Sequence, residues 1–571
     1  MDYSVPEQAK QLLNKGILEN PLIASDLPTD AAEAARKISF TGSDLPSIPI
    51  NWRFAESIST LKAYEAILVN VLLKRKYGLE PVPITIDTDH AQLFIMSTML
   101  WTLDPAGDNL SAMSIMSTPE GRAKLSRYFP DWDNHHSKSS IYRTAATNIY
   151  KTLDGKFFHL HGSMNPDPTL DSIGMPHEME FESLPEASAA IGESVGKLTA
   201  DELQHRATDI YKQAGTICYT REQFRESEHG KANAHVGLFE IREHPNPQQK
   251  PCWWPDVPQT SAKRPLAGLK VIDLSRIIAA PAITRGLAEL GASVMRIVAP
   301  HLPDMSALHL DLNHGKWNAL LDLRKETDRA TLRELILDAD VFLQGYRPGV
   351  LDKYGFGEQD IMEIFRDRSR GIIYVRENCY GWNGPWKDRS GWQQISDANC
   401  GVSYEFGRAM GNDEPVTPVF PNSDYCTGVA GVAGVLTSLI RRAEKGGSYS
   451  VDIALNYYST WLVNSVGMYP DAVWQDLWKS NGSLVFRHDQ PMQTMLPAMI
   501  QTIMKYSANK LLKPHHFTTY NCRYLQKDVR IVAPILQFPQ GEVKPGYSVG
   551  TRTNGVDKPR WPTDLTVEVV E

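Results

Sequence analysis

The chain of 571 residues carries 59 Lys and Arg against 67 Asp and Glu, a formal net charge of −8, with 42% hydrophobic and 22% charged residues. This is ordinary globular composition, and the length suffices for two or more folded units. The acidic balance, with a pI near 6.1, disfavours nucleic acid or an anionic membrane as the main partner, because both select basic surfaces.

Residues 1–20 mix acidic and basic side chains and read as neither a secretory leader nor an Arg-rich transit segment. No apolar run of roughly 18 residues stands out as a membrane span, and the last residues, Val569-Val570-Glu571, form no retention or peroxisomal tripeptide. The six cysteines (Cys218, Cys252, Cys379, Cys400, Cys426 and Cys522) are scattered, with no metal-ligand spacing. They read as reduced thiols of an intracellular protein. The expected location is the cytoplasm, with a mitochondrial one left open.

The first strong helical pattern is AESISTLKAYEAILVNVLLKRKYG (Ala55–Gly78), followed by the strand-like PVPITID. Further on, IYKTLDGKFFHLHG reads as a strand pair. His159 and His161 alternate there and share one strand face, while His135-His136 and His515-His516 are adjacent pairs that an extended chain points apart. None of these predicts a metal site.

Six prolines fall between His244 and Pro265 (Pro245, Pro247, Pro251, Pro255, Pro258 and Pro265). Such density prevents a helix and predicts an extended linker. The expected organisation is a degenerate half over residues 1–243, a Pro-rich linker over 244–265, and a second unit over 266–571.

That second unit alternates strands and helices. KVIDLS (Lys270–Ser275) is a buried-strand run, and PAITRGLAELG (Pro281–Gly291) is a helix with a proline in its first turn and a glycine at its end. SVMRIV (Ser293–Val298), ALLDL, a helix from about Lys325, DVFLQGY and GIIYVREN continue the series. The pattern predicts an α/β fold with a doubly wound, Rossmann-like parallel sheet, plus a smaller α+β domain. The first strand does not run into GxGxxG, so a dinucleotide loop is not expected.

A last helix matters most. In SDYCTGVAGVAGVLTSLIRRAEKGG, Ser423 or Asp424 is placed as N-cap, and Gly428, Gly431 and Gly434 recur every third residue. On a helix these glycines make a smooth strip for close approach of another backbone. The strand YSVDIAL follows. The helix at Ala55–Gly78 aligns with this one: Glu56 falls opposite Asp424, and Thr60, Ala63 and Ala66 opposite the glycines. This predicts an internal repeat whose first copy is truncated. HExxH, CxxC, GxSxG and Walker patterns are absent.

The ordered motifs PLAGLKVIDLSRIIAAPAITRGLAELGASVMRI, NHGKWNALLDLR, QGYRPGVLDKYGFG, YGWNGPWKDRSGWQQIS and SDYCTGVAGVAGVLTSLIRRAEKGGSYSVDIAL span Pro265 to Leu455. Together they resemble the class III CoA-transferases, a family that also holds the α-methylacyl-CoA racemases. The resemblance implies transfer of coenzyme A from an acyl-CoA donor to a carboxylic acid through an aspartyl mixed anhydride and an enzyme-bound thioester. It implies no permanently bound cofactor and no metal, CoA and acyl-CoA as substrates, and a homodimer of interlocked chains. Asp424 matches the nucleophile; a carboxylate is ionised at neutral pH and can attack a thioester. For contacts to CoA, the matching positions are Asn313, His314, Gly315 and Lys316, then Gly345, Tyr346, Arg347 and Lys353. Arg276, Ile278 and Ala279 match the loop after the first strand. Ser390, Gly391, Trp392 and Gln393 match the loop opposite the aspartate.

Two alternatives stand beside this reading. A racemase or epimerase needs a histidine base in the loop opposite the aspartate, but Trp392 stands there, and an indole N–H is no base at neutral pH. A non-catalytic CoA-binding protein is the other, suggested by the long degenerate first half. Glu56 is expected to be an inert relic of a second nucleophile.

Overall fold

The computed structural model describes residues 3–571, excluding the side chains of 116 and 117. A seven-stranded sheet organises the fold. In chain order its strands are β1 (Phe239–His244), β2 (Lys270–Leu274), β3 (Ser293–Val298), β4 (Lys316–Leu320), β5 (Val341–Gln344), β6 (Ile373–Asn378) and β7 (Ser448–Ala454). They lie in the order β4-β3-β2-β5-β6-β7-β1. All neighbouring pairs are parallel except the edge strand β1, which runs antiparallel to β7 with Ile241 opposite Val451. The order reverses between β2 and β5, the switch point at which open α/β sheets bind ligands.

Three helices pack in series, the first against the third and the third against the second: α1 (Phe54–Tyr77), α2 (Ala279–Glu289) and α3 (Asn422–Lys445). By length and apolarity alone α3 passes as a membrane span, with a mean hydropathy of 1.2 over its best window, although no such run was expected from the sequence. That window is 94% buried inside the protein, so the apolarity serves the core. The glycine strip does what its spacing predicts. A Cβ at Gly428 would lie 2.6 Å from the Ala282 Cβ and 3.2 Å from the Ala279 carbonyl oxygen on α2. A Cβ at Gly434 would lie 2.7 Å from Val451 on β7.

Two expectations need correction. The strand read as ALLDL begins earlier, at Lys316, because Lys316, Trp317 and Asn318 pair with β3 in register from Val294. The helix read as capped by Ser423 or Asp424 starts at Asn422, with Pro421 in the cap position and Asp424 in the first turn. The Asn422 side chain donates to the Tyr458 hydroxyl at 2.6 Å, which holds that first turn in place.

The two halves of the chain are interleaved. β1 comes from the first half and closes the sheet of the second. Strands Thr102–Leu103 and Leu110–Ser111 extend the antiparallel pair Phe517–Cys522 and Lys527–Val532. α1 packs on α3 within one apolar core that includes Ile58, Leu61, Ile67, Val429, Val432 and Leu436. Residues 245–265 form no helix and no regular strand, but they are packed down rather than free. Trp254 is buried and its indole donates to the Ala267 carbonyl at 2.8 Å, and the buried Gln249 amide donates to Phe365 at 2.8 Å.

A smaller α+β unit has its own core around Tyr150, Phe158, Leu170 and Leu203. Its three antiparallel strands are Asn148–Lys151, Phe157–Leu160 and Gly215–Ile217. It sits over the C-terminal edge of the large sheet.

Gly428→Val tests the helix contact. The side chain has nowhere to go without moving α2, so overpacking of about 1–3 kcal/mol is expected. Chemical denaturation measures it, and a stability equal to the parent's would refute the close approach.

Candidate active site

The loops that follow β2, β3, β4, β5 and β6 border one cavity of about 510 Å3 at the C-terminal edge of the sheet. The loop after β2 supplies Arg276, Ile277, Ile278 and Ala279, and the loop after β5 supplies Gly345, Tyr346 and Arg347. Ser390, Gly391 and Trp392 face them, with Asp424 at the floor. The smaller unit closes the cavity from above with Ser163, Met164, Asn165, Pro168 and Gln213.

Ile277 has φ +75°. A β-branched residue in the left-handed region is strained, and such strain persists only where the surroundings over-determine it. Here it turns the loop after β2 so that its neighbours line the cavity. A buried ion pair beneath braces that strand. The Lys316 ammonium donates to Asp273 at 3.0 Å and to the Pro281 carbonyl at 2.9 Å, and Thr284 donates to Asp273 at 2.5 Å. Burial pulls the Lys316 pKa down to about 8 despite its partner.

Asp424 lies in the first turn of α3, where the helix dipole favours a carboxylate. Among the described residues, no side chain or backbone group donates to it. Burial wins over the dipole and raises its pKa to about 7. Two further carboxyl groups crowd it. Glu377, at the end of β6, lines the same cavity, and burial together with the Asp424 charge raises it to about 8. Asp397 is buried and likewise raised to about 8, chiefly by desolvation, while the Gln393 amide donates to it. Glu377 and Asp397 were not singled out in the sequence. A usable signal existed for Glu377: a charged residue at the C-terminal end of a strand in a parallel sheet faces the ligand crevice.

Of the cations that line the cavity, two have no carboxylate partner among the described residues. Arg276 donates to the Pro303 carbonyl and lies over the Tyr346 ring at 5.5 Å. Arg347 is exposed and donates to the Lys212 carbonyl and the Gln213 side chain, both at 2.9 Å. Arg324 and Arg389 also line the cavity, but they pair with Asp322 at 2.7 Å and Asp209 at 3.7 Å.

Other matched positions lie elsewhere. Lys353 is exposed on a short turn and does not border the cavity. Asn313, His314, Gly315 and Lys316 are buried beneath it. Asn313 donates to the Arg552 carbonyl at 3.0 Å, the His314 ring packs against Tyr547 at 5.3 Å, and Gly315 donates to the Val549 carbonyl at 2.8 Å. These four seat the C-terminal segment and brace β2 rather than face a ligand. Gln393 is buried against Asp397 instead of lining the cavity.

Trp392 stacks on His161 at 5.3 Å and its indole donates to Ser163 at 3.0 Å, so the loop opposite Asp424 is pinned to the smaller unit. His159 and His161 are both buried, with rings 6.1 Å apart. Glu56 lies outside the cavity, buried and spent: it accepts from Tyr3 and from Tyr469 at 3.2 Å and pairs with Arg53 at 3.4 Å.

Comparison with known proteins places the chain in a family. The profile of CoA-transferase family III matches residues 266–482. The acetyl-coenzyme A transferase nodX of Hypoxylon pulicicidum is 50% identical over 572 residues, covering 100% of this chain and 95% of that one. An acyl-CoA transferase of Gibberella moniliformis is 30% identical, covering 90% and 88%. The crystal structure of a CaiB/BaiF family protein from Brucella suis is 28% identical over 35% of this chain and 55% of that chain, with a TM-score of 0.32. The similarity to the first two relatives runs through both halves, and the chain belongs to the class III CoA-transferase family.

Proposed function

We propose that the enzyme transfers CoA from an acyl-CoA to a free carboxylic acid, with Asp424 as nucleophile. The observation that carries this reading is the unpaired Asp424 carboxylate on the floor of a cavity that also presents two unpaired guanidiniums. Arg276 and Arg347 suit the CoA phosphates, for which Arg is a bidentate donor.

An Asp424 oxygen attacks the thioester carbon; the C–S bond breaks, CoA leaves as thiolate, and a mixed anhydride remains. The thiolate then attacks the Asp424 side-chain carbonyl, releasing the donor acid and leaving CoA on the enzyme as a thioester. The acceptor carboxylate attacks that same carbonyl, expels the thiolate and forms a second anhydride. Attack of the thiolate on the acceptor's acyl carbon gives the new acyl-CoA and restores Asp424. No step needs a base, which fits Trp392 in place of a catalytic histidine. Glu377 holds a proton when Asp424 has lost its own, so it offers a hydrogen-bond donor beside the reacting oxygens. The name of the Hypoxylon relative supports acetyl-CoA as the first donor to assay.

The first half reads as a truncated copy of the second. α1 and α3 are both 24 residues long, and each leads into a strand of a parallel pair, Ile84–Asp87 beside Ile38–Thr41 and β7 beside β6. One chain then supplies both walls of its cavity, and one active site per chain follows, with Glu56 inert.

Asp424→Asn should abolish transfer while CoA still binds. Hydroxylamine trapping of the parent enzyme should mark Asp424 and plateau near one equivalent per chain. More than a few per cent residual activity, or a plateau near two, would overturn the reading.

Arg347→Ala should raise KM for acyl-CoA several-fold and leave kcat nearly intact, because the contact is remote from the reaction. Lys353→Ala should match the parent in both. Equal losses in the two variants would count against the cavity as the CoA site.

Because Asp424 acts ionised and titrates near 7, kcat/KM should fall as the pH drops below about 7. The linkage sign follows from the raised pKa. The folded state favours the protonated carboxyl, and that advantage is lost as the pH rises through the folded value. Asp424→Asn should therefore gain stability over the parent at pH 8 and lose most of the gain at pH 5, as read by thermal unfolding.

A further inference from the structure

The geometry points to a divalent metal site of the zinc class at Asp87, His515 and His516, tying the first half of the chain to its C-terminal segment. Asp87 ends the strand Ile84–Asp87 and caps the helix Thr88–Phe94, accepting with Oδ1 from the Asp89 and His90 amides at 2.8 and 3.2 Å. Its other oxygen is left for the histidines. His515 and His516 do not splay apart as an extended chain would place them. Pro514 opens a single 3-10 turn, Pro514–His516, which turns both rings to the same side, with centroids 4.6 Å apart. One ligand atom from each of Asp87, His515 and His516 lies within 4.8 Å of the others.

The tautomer of His516 carries the argument further. Its Nδ1 lies 2.8 Å from the Leu511 carbonyl oxygen, which can only accept, so Nδ1 holds the hydrogen. With Nδ1 so engaged, Nε2 is the nitrogen left to carry a lone pair toward a ligand. That atom is fully buried, makes no hydrogen bond, and faces the Asp87 Oδ2 at 3.6 Å. A buried imidazole nitrogen turned toward a half-buried carboxylate oxygen is an arrangement that a cation between them satisfies. A donor fixed to a backbone carbonyl on the far ring nitrogen is also how metal-binding histidines are oriented.

The 3.6 Å separation of His516 and Asp87 suits a metal ion. It is longer than the roughly 2.7–2.9 Å of a direct charge-assisted hydrogen bond. It is close to the roughly 3.4 Å edge made by two ligands about 2.1 Å from a tetrahedral ion. A proton on His516 would account for Asp87 alone and would leave His515, exposed and turned to the same point, without a role. Two imidazoles and a carboxylate are a zinc-type donor set, with the exposed side open to water. Two other charged or ring groups lie nearby. His90 stacks on His516 at 4.7 Å, and Lys513 pairs with Asp89 at 3.4 Å. None of the three ligands borders the Asp424 cavity, so the site is distinct from the catalytic one.

Full-length, untagged enzyme stripped with EDTA and titrated with zinc chloride in a calorimeter at pH 7.5 tests this. One equivalent should bind and raise the unfolding temperature. His515→Ala changes only an exposed side chain, and Asp87→Asn keeps the helix cap. Each should weaken zinc binding at least tenfold and remove the thermal shift, while both variants fold as the parent does without metal. Absence of saturable binding by the parent, or unchanged affinity in His515→Ala, would overturn the site and leave a His516–Asp87 ion pair.

Discussion

The close approach of α3 to α2 is the contact on which the rest depends. It exists because Gly428 has no Cβ to meet Ala282 and the Ala279 carbonyl. The same contact brings the first turn of α3 beside the loop after β2. Asp424 and the strained Ile277 loop therefore share one cavity. The remaining glycines continue this approach along Ile283 and β7, so the helix is held over its length and its start cannot drift. A carboxylate carried on a rigid element is positioned more tightly than one on a free loop.

The site built there is electrostatically divided. At its floor lie the Asp424 and Glu377 carboxyl groups, with no cation paired to either among the described residues and the buried Asp397 close behind, and burial raises all three. At its rim stand guanidiniums, two of them without a carboxylate partner among the described residues. Separation of this kind suits a substrate whose anionic end is far from its reacting carbonyl. The floor is costly for stability, because buried carboxyl groups resist ionisation, but a poorly solvated carboxylate is also a better nucleophile. Lys316 and Asp273, fully buried below, show the opposite solution: their charges are matched to each other and serve the frame.

The first half of the chain does not stand apart. It gives the sheet its edge strand and packs α1 on α3. It also lowers the smaller unit over the cavity, where Trp392 is fastened to His161 and Ser163. Residues 245–265, which proline density marks as a break in regular structure, lie pressed against the body by Trp254 and Gln249. The two halves thus share their sheets and one apolar core.

The sequence by itself determined the order of elements, because strand and helix periods alternate cleanly from Lys270 and punctuation by Pro and Gly marks their ends. Local pattern placed Asp424 only at a helix start ahead of the glycine strip, and the resemblance of the ordered motifs to a family is what marked it out. Tertiary structure decided what no local pattern records. Lys316 and its neighbours sit beside the right loop in sequence order, yet they point inward, because β4 lies next to β3 and its first residue meets the buried Asp273. Lys353 carries the right charge but faces away, while Glu377 becomes a cavity wall only once β6 is set beside β7. His515 and His516 converge on Asp87 because a single proline-started turn, seen only in the fold, replaces the extended chain on which their spacing was read. A side chain's neighbours across hundreds of residues are set by packing, and packing is a property of the whole chain.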